Sequence, residues 1–271
     1  MNKTIKFLLV IACLIIVYGA FLMFSERNLD TGTAPELQVP ESVLKISVED
    51  EEDDLLKGVK ASDAEDGDIT SKVFIENIST FDENQQRTVT YAVFDEDDNI
   101  TRATRQITYT DYEAPEINIK KALFIYYLDS TEQLKDYVSA SSVVDGDLSS
   151  QISVESSAYN QDDEFYVTYS VTDSCGTTTT FKTKATWLNY EPNIDIQLSD
   201  YLIRVKKGET IYPRSYIEKI EDLGVENDYL KSDVEITDNY DSSKEGTYEF
   251  IYRINRSNGD YGITRLVVIV E

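Results

Sequence analysis

Residues 61–70 read ASDAEDGDIT, with four acidic side chains in ten positions. A second copy of the central motif, Asp145-Gly146-Asp147-Leu148-Ser149, occurs later in the chain. Each copy is followed by a similar stretch, VTYAVFD at 89–95 and VTYSVTD at 167–173, and the two intervals differ by one residue. Two motifs in the same order and at nearly the same interval indicate an internal repeat, which decides the fold.

A third, more divergent unit follows. It keeps a tyrosine-containing run at 246–254, whereas only Glu226-Asn227-Asp228 stands where the acidic motif is expected. Related proline motifs, at 113–117 and 190–194, open the second and third units. The predicted organisation is a cytoplasmic head at 1–6, a membrane anchor at 7–24, a linker at 25–34, and repeats at 35–112, 113–190 and 191–271.

Within each repeat, apolar and polar residues alternate in short runs. Val89, Tyr91 and Val93 share one strand face, and the run at 246–254 has the same period of two. Turn residues separate the runs, and Asn99 and Gly176 are expected to take a positive φ in two of the hairpin turns. The predicted fold is all-β: three tandem antiparallel β-sandwiches after an N-terminal transmembrane helix.

The segment from Phe7 to Phe24 carries no charge, and Lys3 and Lys6 precede it. Eighteen helical residues extend about 27 Å, close to the thickness of a hydrocarbon core. The basic residues before the run predict a cytoplasmic N-terminus and an extracellular C-terminal body. We therefore expect a single-pass signal anchor in the cell membrane. A cleaved signal peptide and a lipoprotein signal at Cys13 are the alternatives.

Composition excludes several functions. The formal net charge is −26, so nucleic acid is not an expected partner. The chain has no histidine, the commonest general base and metal ligand. Its two cysteines, Cys13 and Cys175, lie in an apolar run and in a distant folded region, so no disulfide is expected between them. No pocket-forming insertion interrupts the repeats, and we predict that the protein is not an enzyme.

The order ASDAEDGDIT, VTYAVFD and a closing strand resembles the bacterial immunoglobulin-like repeats of cell-surface proteins, a family that includes the Ig-like domain of a pesticidal crystal protein. Gly58-Val59 before the acidic turn, Lys207-Gly208-Glu209 and Gly246-Thr247-Tyr248 fit the same pattern. The resemblance covers residues 35–271 and implies that the fold consists of three tandem Ig-like antiparallel β-sandwiches, which serve as spacer, stalk or adhesion modules. It does not name a ligand, because a fold alone does not define a function.

The acidic residues suggest two interpretations. Calcium binds six to eight oxygen atoms, often from carboxylates. The candidate ligands are Asp63, Asp66, Asp68 and Asp95 in repeat 1, and Asp145, Asp147 and Asp173 in repeat 2. The favoured interpretation is a turn in which Asp66 accepts local amides, Gly67 takes a positive φ, and Asp68 and Thr70 begin the next strand. Calcium is the alternative, and no other cofactor is expected.

Together these features predict a membrane-anchored bacterial surface protein that acts as a structural stalk or an adhesive module. The alternative is a receptor for a specific glycan or surface protein. Repeat 2 is rich in tyrosine, and an exposed cluster would favour that alternative. The candidate tyrosines are Tyr126, Tyr127, Tyr137, Tyr159 and Tyr166.

Overall fold

The structure is a computed structural model that describes residues 32–126, 130–156 and 164–271, together with Ile16 and Tyr18. The predicted anchor at 7–24 therefore lies outside the described residues except at those two helical positions. Among the described residues, no helix has the length and apolar character needed to cross a membrane. The anchor thus stays a prediction from the sequence.

The described part of the chain is all-β and forms three pairs of sheets, and the strands of each pair fall within one predicted repeat. The strands are β1 Glu36–Gln38, β2 Leu44–Ile46, β3 Lys60–Asp63, β4 Gly67–Asp68, β5 Phe74–Ile78, β6 Arg87–Phe94, β7 Ile100–Tyr109, β8 Glu116–Ile119, β9 Phe124–Ile125, β10 Val138–Ser142, β11 Gly146–Asp147, β12 Ser153–Ser156, β13 Glu164–Thr172, β14 Thr178–Trp187, β15 Ile194–Leu198, β16 Leu202–Val205, β17 Ile217–Asp222, β18 Val225–Glu226, β19 Glu235–Asp238, β20 Gly246–Asn255 and β21 Tyr261–Val270.

Short helices lie between some of these strands. The α-helix is Glu52–Leu55, and the 3₁₀ segments are Thr70–Lys72, Thr131–Tyr137, Ser149–Gln151, Pro213–Tyr216 and Asp228–Asp233.

Every repeat has the same topology. A three-stranded sheet (β1-β3-β4, β8-β10-β11 or β15-β17-β18) faces a four-stranded sheet (β2-β7-β6-β5, β9-β14-β13-β12 or β16-β21-β20-β19). The prediction of purely antiparallel sheets is wrong at one edge. β2, β9 and β16 pair in parallel with β7, β14 and β21, because the chain crosses from the first sheet to the second before this short strand.

One tyrosine lies at the centre of each sandwich. Tyr91, Tyr169 and Tyr252 are completely buried, and each belongs to a cluster of aliphatic side chains from both sheets. They lie on β6, β13 and β20, which are inner strands of the four-stranded sheets, and alternate residues of these strands point inward. Interior packing of this kind lets repeats of modest size fold without a disulfide.

The described residues fall into two compact units, divided between Asp111 and Tyr112. The first contains repeat 1. The second contains repeats 2 and 3, whose buried residues are partly shared: Leu202 and Val267 of repeat 3 belong to the same cluster as the core of repeat 2. Repeats 2 and 3 are therefore packed together rather than joined only by a linker.

The hairpin turns correct one detail of the sequence prediction. Gly176 has a φ of 83°, as expected, whereas in the equivalent turn of repeat 1 Asp98 takes the positive φ (66°) instead of Asn99. Asn99 uses its side-chain amide to donate a hydrogen bond of 2.8 Å to Asp95 Oδ2. Asn99 therefore contributes a side-chain hydrogen bond to this turn, and Asp98 contributes the positive φ.

Gly262 in β21 is required by a close approach of β15. A Cβ atom at this position would lie 2.7 Å from the carbonyl oxygen of Ile194. We expect Gly262→Ala to lower the free energy of unfolding by about 1–3 kcal/mol, because overpacking forces the two strands apart. Urea titration of the full chain measures the effect.

The control for this substitution is Gly224→Asn in the same repeat. Gly224 has a φ of 79° and no atom within 4 Å of its virtual Cβ, and asparagine tolerates such a backbone conformation. We expect it to change the free energy of unfolding by less than about 0.5 kcal/mol. Equal effects of the two substitutions would show that the approach of Ile194 does not constrain position 262.

Candidate functional site

The acidic turn of repeat 1 connects β3 to β4, and its carboxylates accept backbone amides. Asp63, rather than Asp66 as predicted, accepts the local amides: its Oδ1 is 2.8 Å from the Glu65 nitrogen and 2.9 Å from that of Asp66. Asp66 instead reaches the β6–β7 turn, where its Oδ2 accepts the Glu96 amide at 2.8 Å. The turn therefore links two loops of the sandwich.

The residues after this turn also differ from the prediction. Gly67 takes a positive φ of 77° as expected, but Asp68 ends β4 and a 3₁₀ segment begins at Thr70. Asp68 Oδ1 accepts the Thr70 amide at 3.0 Å. The Asp68 carboxylate therefore caps the start of the 3₁₀ segment, because the Thr70 amide has no acceptor within that segment.

Asp95 lies at the end of β6 and is only 8% exposed. Its Oδ1 accepts the amides of Asp97 and Asn99, at 2.9 and 2.8 Å. With Asn99 also donating to Oδ2, both oxygens have partners within the same turn. Burial of a carboxylate in this position is tolerated because it is fully hydrogen-bonded.

Repeat 2 repeats this arrangement with small changes. Ser142 Oγ takes the place of the Asp63 carboxylate and accepts the amides of Val144 and Asp145. Asp145 Oδ2 accepts the Ser174 amide at 2.8 Å, as Asp66 does from Glu96. Asp147 Oδ1 accepts the Ser149 amide at 2.9 Å.

Asp173, the counterpart of Asp95, accepts the Thr177 amide at 2.9 Å. Its second oxygen accepts the Tyr112 hydroxyl at 2.6 Å. Burial of Tyr112, together with this hydrogen bond, raises the pKa of the phenol far above its usual value. Asp173 therefore fixes Tyr112, the first residue of the second compact unit, to the β13–β14 turn.

Repeat 3 forms the same hairpin without the acidic motif. The loop between β17 and β18 is reduced to Leu223 and Gly224, with φ values of 50° and 79°. Two consecutive residues with positive φ are typical of a type I′ hairpin turn, which needs no carboxylate to hold it. The same turn is therefore formed in two ways: with the acidic motif in repeats 1 and 2, and with two residues of positive φ in repeat 3.

The seven predicted metal ligands thus have structural hydrogen bonds, and in the described ranges no group of three or more acidic or cysteine side chains is arranged to hold a metal ion. Amide donors lower the pKa of Asp63, and the Thr70 and Ser149 hydroxyls and amides lower those of Asp68 and Asp147. One oxygen, Asp63 Oδ2, is enclosed and has no hydrogen-bond partner among the described residues. Calcium binding stays the alternative interpretation, and this oxygen is its remaining candidate ligand.

We expect millimolar calcium to leave the midpoint of thermal unfolding unchanged within about 1 °C, because the carboxylates already accept amides. A site with a dissociation constant of about 0.1 mM would gain about 2 kcal/mol in about 5 mM calcium, a shift of several degrees. Calorimetry of the full chain in calcium and in chelator distinguishes these results. A shift that disappears in Asp63→Asn would establish a cation site at this turn.

The three central tyrosines form a second recurring contact, which sequence reasoning missed. The Tyr91 hydroxyl donates to the Leu55 carbonyl at 2.7 Å, Tyr169 to Leu134 at 3.0 Å, and Tyr252 to Pro213 at 2.7 Å. Burial raises the pKa of all three hydroxyls. Each tyrosine thus fixes the connection between the two sheets. The recurrence of tyrosine at the same point of three repeats was the available signal.

Arg265 lies between repeats 2 and 3 and is 3% exposed. Its Nη1 donates to the Lys184 carbonyl at 2.7 Å and its Nη2 to Thr186 Oγ1 at 2.9 Å. Its Nε is 2.8 Å from Glu249 Oε2, at an angle that makes the contact an ion pair but not a hydrogen bond. The guanidinium carbon lies 4.7 Å from the ring centre of Phe124.

Lys184 extends this network. Its ammonium group is 2.9 Å from both Glu164 and Glu249. Burial opposes the charge, but the two carboxylates raise the pKa of Lys184 overall. Because β21 alternates, Leu266 and Val268 point into the core of repeat 3 while Arg265 and Val267 contact repeat 2. The outer faces of two four-stranded sheets are therefore joined by apolar and ionic contacts.

A cleft of about 430 Å³ lies at one edge of this interface. Tyr126 and Tyr137, two of the predicted surface tyrosines, line it together with Tyr201 of repeat 3. Tyr166 lies elsewhere, under the Lys182 ammonium at 4.8 Å from the ring centre. Tyr127 and Tyr159 fall outside the described residues. The structure therefore brings two of the five predicted tyrosines together.

Cys175 lies in the β13–β14 turn but is buried, with 1% exposure. Cys13, with which no disulfide is expected, lies outside the described residues. A buried thiol of this kind is structural in character, because reactive cysteines need access and a nearby positive charge.

No family model and no curated protein matches this chain. Similar solved structures include the carbohydrate-binding module CBM51-2 in complex with GlcNAc, with INT domains, from Clostridium perfringens ZmpB, at 25% identity over 54% of this chain and 26% of that chain, with a TM-score of 0.24. Drosophila N-cadherin EC1-4 is 12% identical over 88% of this chain and 75% of that one (TM-score 0.22). Human CDH23 EC21-23 is 10% identical over 88% and 100% (TM-score 0.21).

This chain spans between 26% and 40% of the ZmpB chains that it matches. The sheets and registers of the described residues themselves define the all-β sandwiches.

Proposed function

We propose that this chain is a single-pass membrane protein whose three Ig-like repeats form a structural stalk or interaction module outside the bacterial cell. The charge-free run at 7–24 supports the anchor, and Lys3 and Lys6 before it support the orientation. The strongly acidic composition suits an exposed, soluble ectodomain. The family resemblance of residues 35–271 points to the same location.

One observation carries this proposal: the polar side chains described above make hydrogen bonds within the fold. Asp66 and Asp145 join loops, the central tyrosines fix the connections between sheets, and Arg265 joins two repeats. Side chains committed to hydrogen bonds within the fold favour a rigid presenting module over an enzyme. We accordingly propose no catalytic activity.

Cell fractionation tests the proposed location. The full chain with a C-terminal epitope tag is expected in the membrane fraction after an alkaline wash, and protease added to intact cells is expected to remove the tag. A double variant, Lys3→Glu with Lys6→Glu, is expected to reduce the fraction of exposed tag, because it removes the positive charges that set orientation. A tag found in the soluble fraction, or protected in intact cells, would contradict the proposal.

A second candidate function is a receptor for a specific ligand. It is favoured by one observation, the tyrosine-lined cleft between repeats 2 and 3. A stalk without ligand specificity gives no reason for an open cleft of this size between two repeats. The chemistry of its lining defines the ligand class.

A further inference from the structure

The cleft is built from both repeats of the second compact unit. Tyr126 and Tyr137 come from repeat 2, whereas Tyr201 comes from repeat 3. Tyr126 is 44% exposed, so its ring is accessible to a ligand from solution. The volume of about 430 Å³ falls within the range of small-molecule sites, about 300–1,000 Å³. The interface that holds Arg265 also fixes the two walls of the cleft.

Three charged residues also line the cleft: Lys121, Glu191 and Asp195. Glu191 Oε1 accepts the Tyr126 hydroxyl at 2.7 Å, and Asp195 Oδ2 accepts the Gln197 amide at 2.6 Å. The second oxygen of each carboxylate has no hydrogen-bond partner among the described residues.

The Lys121 ammonium lies 4.1 Å from the centre of the Tyr137 ring. No carboxylate among the described residues pairs with it. The cleft therefore offers both hydrogen-bond donors and hydrogen-bond acceptors that the fold does not use.

This combination selects a ligand class. An anionic ligand would be repelled by the carboxylates of Glu191 and Asp195. A cationic ligand would be repelled by the Lys121 ammonium, whose hydrogen-bond donors would stay unused. A neutral polyhydroxylated ligand can accept from Lys121 and donate to Glu191 and Asp195 at the same time. Its apolar C–H face can pack on an aromatic ring whose edge is polar. We infer that this cleft binds a neutral oligosaccharide.

Isothermal titration calorimetry of the full chain, in a detergent without a sugar headgroup, tests this inference. The neutral probes are chitotriose, cellotriose and maltotriose. The charged probes are trilysine and a heparin-derived tetrasaccharide. We expect at least one neutral probe to bind more tightly than both charged probes. We expect Tyr126→Ala to weaken that binding at least about tenfold, as loss of a central aromatic contact does.

Two further variants separate the contributions. Tyr126→Phe keeps the ring but releases Glu191, so it is expected to weaken binding less than Tyr126→Ala. Tyr229→Ala removes a tyrosine that is 91% exposed and outside the cleft, and is expected to leave the affinity unchanged. Thermal unfolding of each variant checks that the fold is retained.

Failure of all three neutral probes to bind, tighter binding of a charged probe, or binding unaffected by Tyr126→Ala would overturn the inference. The assay uses purified protein. Its failure is therefore distinguishable from failure of the proposed membrane topology, which the accessibility of the epitope tag tests in cells.

Discussion

Replacement of Tyr169 by alanine is expected to lower the free energy of unfolding of the second compact unit by about 3–5 kcal/mol, the usual cost of removing a fully buried aromatic ring. Tyr169→Phe keeps the ring and removes the hydroxyl. It is expected to cost about 1–3 kcal/mol, because the buried Leu134 carbonyl loses its donor. Urea titration followed by the fluorescence of Trp187, the single tryptophan, measures both effects.

The pH dependence of the same variants separates the hydroxyl from the ring. Burial raises the pKa of Tyr169 above its unfolded value of about 10. The folded state therefore favours the neutral phenol. Its contribution to the free energy of unfolding is fully present below pH 10 and is lost as the pH rises above that value. Tyr169→Phe is expected to make this alkaline decrease shallower. An unchanged alkaline slope, or an alanine variant that costs less than about 1 kcal/mol, would contradict the assigned role.

Arg265→Ala is expected to have an effect of similar size, about 3–5 kcal/mol, because it leaves Glu249 with one cationic partner in a buried interface. The Lys184 carbonyl and Thr186 hydroxyl lose their donors as well. Arg265→Lys keeps a charge without the guanidinium fork, and an intermediate loss is expected. Urea titration again gives the free energy of unfolding.

The matched control is Arg253→Ala. Arg253 lies on β20, next to β21, but is exposed. Its removal is expected to change the free energy of unfolding by less than about 0.5 kcal/mol, as for most surface substitutions. If the two alanine variants were equally stable, the buried guanidinium would not hold repeats 2 and 3 together.

Much of the fold could be predicted from the sequence, because the alternating pattern around Tyr91, Tyr169 and Tyr252 depends on local side-chain period. The repeated acidic motif correctly located a turn with a positive φ at Gly67. The parallel edge strands could not be predicted, since β2 and β9 are too short to show direction by pattern.

The contacts between distant segments were the part that the sequence could not supply. Asp66 was assigned to local amides, but its partner, Glu96, belongs to another hairpin. Arg265 alternates with the core residues Leu266 and Val268 in β21, a pattern that alone would place it on the solvent-facing side of the sheet. Its burial depends on the packing of a second sheet, which no local pattern encodes.

Hydrogen exchange of the full chain under increasing urea tests most directly whether repeats 2 and 3 form one structural body. Peptides from β13 and β14 in repeat 2, and from β20 and β21 in repeat 3, report the opening free energy of each sandwich. A shared interface predicts that the two sets converge on one value, and that Arg265→Ala separates them. Different opening free energies in the unmodified chain would contradict the account, because the two repeats would then unfold independently.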